Sequence, residues 1–148
     1  MSSSSPDKRI LSIRVIGPDR VIFEGSAASI QYPGGDGLYG ILPSHAPMIT
    51  TVEPGLLRIK DESGNEEMLA LARGFVSISN NQIEFAVDAG ELATEIDIDR
   101  AKSAAERART RLEAGPSSSD ERDLLRAQYA LLRALARLRA AGSRSESH

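Results

Sequence analysis

The chain has 148 residues, with 18 Lys and Arg against 21 Asp and Glu, and its net charge of -3 offers no whole-chain attraction for nucleic acid. Hydrophobic residues make up 41% and aromatics 4%, with no Trp and no Cys, so the core is aliphatic and disulfides, thiolate metal sites and cysteine nucleophiles are excluded. No run approaches the roughly 18 apolar residues of a membrane span, and the polar stretch Met1 to Arg9 lacks the apolar segment of a secretory signal.

Residues 1–8 are expected to form a disordered N-terminus. Leu11, Ile13 and Val15 alternate with Ser12 and Arg14, the period of a half-buried strand. Gly17-Pro18-Asp19 turns the chain. Val21 to Phe23 reads as a short strand ended by Gly25, and Ala28 to Tyr32 as another, stopped by Pro33-Gly34-Gly35. The segment from Gly34 to Pro47 is punctuated by glycine and proline, so it reads as short strands and tight turns rather than helix.

Met48 to Val52 is the next strand, closed by Glu53-Pro54-Gly55. Leu56 to Lys60 and Glu67 to Ala72 flank Glu62-Ser63-Gly64-Asn65 as a hairpin. Gly74 to Ser79 and Gln82 to Val87 flank Asn80-Asn81 as a second, with a two-residue turn in which Asn tolerates left-handed φ. Short strands with closely spaced turns predict a β-sandwich or barrel over about residues 9–90, of which the sandwich is the expected form.

Past Gly90, Ala, Arg, Glu and Leu replace the β-branched residues. Asp97 is a helix cap in this reading, and Ala101, Ala104, Ala105, Ala108 and Leu112 fall within roughly 100° of one helix face. That helix should stop near Gly115-Pro116, and Ser117-Ser118-Ser119 is a flexible link before a second helix capped at Ser118 or Asp120. The second helix, about Asp120 to Ala141, is expected to carry a leucine stripe of Leu124, Leu131, Leu135 and Leu138. Arg122, Arg126, Arg133, Arg137 and Arg139 are expected on the opposite side as a basic face seeking an acidic partner. The whole is α+β, a sandwich followed by an antiparallel two-helix hairpin over residues 91–141 and a disordered tail, 142–148. Alanine methyls remove little apolar area from water, so the hairpin seam is expected to be weak enough to open.

Catalytic and metal readings are poor. Adjacent residues of an extended segment point to opposite faces, so Ser44 beside His45 is no nucleophile–base pair, and a structural or interface role is expected for His45. With two histidines, one of them the terminal His148, a His-based metal site is not expected. Gly34 to Gly37 lacks the Gly-Lys-Ser/Thr of a phosphate loop, and Glu91, Glu95, Asp97 and Asp99 lack calcium-loop spacing.

Gly40-Ile41-Leu42-Pro43-Ser44-His45-Ala46-Pro47, then Pro54-Gly55, Gly74-Phe75-Val76 before Asn80-Asn81, and Ile96-Asp97-Ile98-Asp99-Arg100-Ala101 together resemble the epsilon subunit of the bacterial and chloroplast F-type ATP synthase, over nearly the whole length. The resemblance implies a non-catalytic rotor subunit whose sandwich binds the gamma subunit and the c-ring, with Tyr39, Leu42, Ser44 and His45 in the contact region. It implies a hairpin that inhibits ATP hydrolysis when extended, through basic contacts with an acidic segment of the beta subunit. No cofactor is required, but ATP is implied as a regulatory ligand through Glu91, Ile96, Asp97, Arg100, Ala101, Arg107, Arg133 and Arg137. The implied location is peripheral, on the cytoplasmic face of the bacterial plasma membrane or on the thylakoid, with no membrane insertion. A free-standing ATP-sensing domain is the alternative.

Overall fold

A computed structural model describes residues 10–114 and 121–146. Ten strands run in chain order: β1 (Leu11–Ile16), β2 (Val21–Ala27), β3 (Ser29–Gly34), β4 (Gly37–Ile41), β5 (Met48–Val52), β6 (Gly55–Lys60), β7 (Glu66–Leu71), β8 (Gly74–Ser79), β9 (Gln82–Val87) and β10 (Gly90–Leu92). A single 3-10 turn, Ala93–Glu95, leads to α1 (Ile98–Glu113) and α2 (Glu121–Glu146). The strands form two five-stranded sheets, ordered β2-β1-β9-β8-β5 and β10-β7-β6-β3-β4. All pairs are antiparallel except β1 with β9.

Alternation places Leu11, Ile13 and Val15 of β1 and Ile83, Phe85 and Val87 of β9 between the sheets, against Ile30, Leu57, Leu69 and Leu71 of the other sheet. The expected Asn80-Asn81 turn is present, with φ of 51° and 62° at the two residues. Two strands run further than the sequence suggests. β2 continues through Gly25 to Ala27, and β3 continues through Pro33 to Gly34, because pairing with β1 and β4 outweighs the local preference of glycine and proline. Gly34 lies under the ring of Tyr39, where a Cβ would fall 2.1 Å from the ring carbons, so only glycine fits beneath that ring. Tyr39 also stacks on buried Tyr32 at 5.6 Å between centroids.

β6 and β7 depart from simple alternation. Leu57, Ile59, Leu69 and Leu71 enter the inter-sheet core, while Leu56, Met68 and Ala70 point the other way and join a second cluster with Ala93, Ile96, Ala101, Ala136, Ala140 and Ala141. The hairpin therefore lies on the outer face of the β10-containing sheet, and these strands are buried on both faces. α1 starts where expected, with Asp97 Oδ1 accepting from the Arg100 N–H at 3.1 Å. Of its expected apolar face, Ala101, Ala105 and Ala108 are buried, while Ala104 and Leu112 are half-buried. α2 runs through Glu146, beyond Ala141 and into the stretch expected as a disordered tail. The expected disorder of residues 1–8, the flexible link and the caps at Ser118 and Asp120 lie outside the described residues.

The leucine stripe is a correction. Leu124, Leu131 and Leu138 are only half-buried and Leu135 is exposed, as are Leu125 and Leu132. The packed residues of α2 are instead Ala127, Ala134, Ala136, Ala140 and Ala141. Small side chains let the helix approach both α1 and the sheet closely, which leucines on that face would prevent. At 100° per residue, Ala127, Ala134 and Ala141 form one stripe and Ala136 and Ala140 another, about 140° apart, with Arg126, Arg133 and Arg137 between them.

Candidate functional site

The arginine face thus borders the sandwich side of the hairpin, with Arg137 half-buried and Arg126 and Arg133 exposed. Between the hairpin and the edge of the sandwich lies a cleft of about 960 Å3. Arg107 and Arg111 of α1 and Arg126, Arg133 and Arg137 of α2 line it, with Arg73 from the bend after β7. Six arginines therefore face three carboxylates, Asp88, Glu91 and Asp123. A site with that balance favours a polyanion.

The pairing within the cleft is uneven. Arg137 Nε–H donates to Glu91 Oε1 at 2.7 Å, joining α2 to β10. Arg111 Nη2 lies 3.3 Å from Asp123 Oδ2, linking the two helices. Arg73 lies 3.5 Å from Asp88 Oδ2, and its guanidinium carbon stands 4.6 Å from the centroid of the Tyr129 ring. Tyr129, and then Asp88, hold the Arg73 guanidinium above its usual value, so it is a permanent cation. The backbone ties two of these residues together, since Asp88 N–H donates to the Arg73 carbonyl at 3.0 Å.

The residues named from the sequence divide into two groups. Glu91, Arg107, Arg133 and Arg137 come together in the cleft. Ile96 and Ala101 are buried in the second cluster, Asp97 caps α1, and Arg100 lines a separate shallow depression with Asp99, Ser103 and Arg107. Arg139 does not line the cleft with the other arginines of the expected face, because two residues past Arg137 turns the helix by about 200°. Arg122 lies within α2, but its side chain is outside the described part. Arg73, Asp88 and Tyr129 were not singled out from the sequence. They sit on bends and on a helix far apart in the chain and share no periodicity; the signal available was the unbroken apolar run Met68 to Ala72, which marks a strand covered on both faces.

Tyr39, Leu42, Ser44 and His45 occupy β4 and the turn after it. Leu42 is 63% exposed and Tyr39 41%. The turn is not extended as expected: Ser44 has φ 69°, and its N–H donates to Asn81 Oδ1 at 2.6 Å. His45 Nδ1 lies 2.7 Å from the Ala46 carbonyl oxygen, so its ring is tied to the backbone of the next residue. These contacts pair neither side chain as nucleophile and base. Among the described residues no group of three or more His, Asp and Glu side chains is gathered for a metal, and no helix is long and apolar enough to cross a membrane.

The fold and site define a two-part chain: a β-sandwich presenting an exposed turn at one place and carrying a docked, arginine-faced helical hairpin at another. The chain belongs to the ATP synthase delta/epsilon chain family, matching its beta-sandwich domain over residues 10–93 and its long alpha-helix domain over residues 94–142. It is similar to the ATP synthase epsilon chain of Moorella thermoacetica, 39% identical over 133 residues that cover 90% of this chain and 97% of the relative. The epsilon chain of Gloeobacter violaceus is 38% identical over 133 residues, covering 90% and 98%. A chain of the Euglena gracilis mitochondrial ATP synthase OSCP/F1/c-ring structure shares the fold with a TM-score of 0.73 at 22% identity, over 90% of this chain and 81% of that one. A chain of the Tetrahymena thermophila mitochondrial ATP synthase central stalk and c-ring shares it at a TM-score of 0.55 and 12% identity, over 88% and 95%.

Proposed function

We propose that this chain is a non-catalytic central-stalk (rotor) subunit of a proton-translocating F-type ATP synthase, peripheral to the cytoplasmic face of a bacterial plasma membrane. Its sandwich couples the catalytic head to the c-ring, with Tyr39, Leu42, Ser44 and His45 meeting the gamma subunit and the c-ring. Its hairpin regulates ATP hydrolysis. The observation that carries this reading is the arginine face of α2 that lines the cleft. While the hairpin is docked, Arg133 and Arg137 line the cleft and Arg137 is held by Glu91. Extension of the hairpin would free the same cations for an acidic segment of the beta subunit. The alanine contacts of α2 keep the docked state cheap to leave, since a methyl group buries little area at roughly 25 cal/mol per Å2.

ATP is the regulatory ligand in this reading, held in the cleft by Arg107 and Arg133 and favouring the docked state. The test is reconstitution of the full chain with a catalytic head containing gamma but lacking this subunit. Stable association with gamma and a change in ATP hydrolysis are expected. A chain that binds ATP but not gamma would support the alternative, a free-standing ATP-sensing domain.

A further inference from the structure

The cleft lies under only part of α2. The residues of α2 that line it run from Asp123 to Arg137, whereas those in the second hydrophobic cluster are Ala136, Ala140 and Ala141, with Leu138 against them. The C-terminal half of the helix is therefore seated on the sheet by packing and by the Glu91–Arg137 pair. The N-terminal half stands over the cleft and reaches the sandwich through Tyr129, whose ring meets the Arg73 guanidinium at 4.6 Å. Asp88, 3.5 Å from Arg73 Nε, steadies the guanidinium from the sandwich side.

We propose that Arg73 and Tyr129 form a clasp holding the N-terminal half of α2 over the cleft, so that α2 opens first along that half, hinged on its packed base. The two attachments differ physically. The base combines packing in the second hydrophobic cluster with an ion pair whose side chains are 25% and 29% exposed, whereas the N-terminal half depends on a contact whose cation is more than half exposed. Arg73 and Tyr129 line the same cleft as Arg107 and Arg133, so releasing the clasp widens the way to those two cations without lifting α2 from the sheet. The inference rests on the reading of the hairpin as the moving element.

Amide hydrogen exchange on the full chain, without nucleotide, tests it. Arg73→Ala and Tyr129→Ala should each speed exchange at residues 123–132 of α2 by roughly two- to fivefold, the range of an exposed cation–π contact. Residues 134–141 and the strands should stay unchanged. The double variant should be no faster than either single one, and Tyr129→Phe, which keeps the ring, should match the parent. Equal acceleration along all of α2, or no acceleration in either single variant, overturns the clasp. If α2 of the parent chain is instead as protected as the strands throughout, the mobile-hairpin reading itself fails, which is a separable result.

Discussion

Arg137 and Glu91 face each other at 2.7 Å across the junction of hairpin and sandwich, with side chains 25% and 29% exposed. Both are residues that the family resemblance associates with a nucleotide, yet here each is the other's partner. The docked hairpin therefore carries its own fastening, and a ligand in the cleft must either share Arg137 with Glu91 or use the arginines beside it.

The pair should accordingly set the stability of the docked base. A hydrogen bond to a charged group contributes about 1.5–3 kcal/mol, and removing one partner leaves the other partly desolvated. Glu91→Gln is expected to speed amide exchange at residues 134–141 by about tenfold, with Arg137→Gln similar and the double variant little worse than either. Unchanged exchange at those residues would mean that alanine packing alone seats the helix.

Gly74 makes a sharper prediction about the sandwich. A Cβ there would fall 2.1 Å from the Ala86 carbonyl oxygen and 2.7 Å from the Val87 Cα, both backbone atoms of β9 that cannot rotate away. Gly74→Ala should destabilise the fold by about 1–3 kcal/mol, read as a lower urea midpoint at unchanged m. Gly35, with nothing within 4 Å of its own Cβ position, is the control, and Gly35→Ala should leave the midpoint near that of the parent.

Most of the sandwich was legible because β1, β8 and β9 alternate apolar and polar residues and the Asn80-Asn81 turn permits one geometry. The hairpin was legible as two helices but not in its orientation. A helical wheel separates leucines from arginines, yet it cannot say which face meets a neighbour when that neighbour is a strand of remote sequence. Hydrophobicity pointed to Leu135, but close approach to Met68 and Ala70 selected Ala136 and Ala140. The cleft depends on that choice, so Arg73 and Tyr129 stayed invisible, Arg133 was legible only as part of a basic stripe, and Arg107 was named only through the resemblance.

Asp97 provides a test of role. Its carboxylate accepts the Arg100 N–H at 3.1 Å, and it does not line the arginine cleft. Asp97→Ala should cost about 1 kcal/mol of helix stability through the lost cap, whereas Asp97→Asn, also a good cap, should cost little. Circular dichroism during thermal unfolding would read the difference. An Asn variant as damaged as the Ala variant would point to the charge itself.

The nucleotide reading stands or falls on Arg107 and Arg133. They come from different helices and line one cleft, where Arg73 and Arg137 are already engaged by Asp88 and Glu91. A triphosphate entering that space would draw first on cations that need not abandon a partner. Charge-assisted phosphate contacts are worth roughly 1.5–3 kcal/mol each, so Arg107→Ala and Arg133→Ala should each weaken ATP binding at least about tenfold in calorimetry of the full chain. Arg100→Ala, whose side chain lines the separate depression, should change it much less. Binding should also weaken as salt is raised, since six arginines against three carboxylates attract the ligand through charge. Loss with Arg100→Ala but not with Arg133→Ala would move the site to the α1 surface. No binding by the parent chain would leave the hairpin to be governed by its protein contacts, with Glu91 rather than a nucleotide holding Arg137 in place.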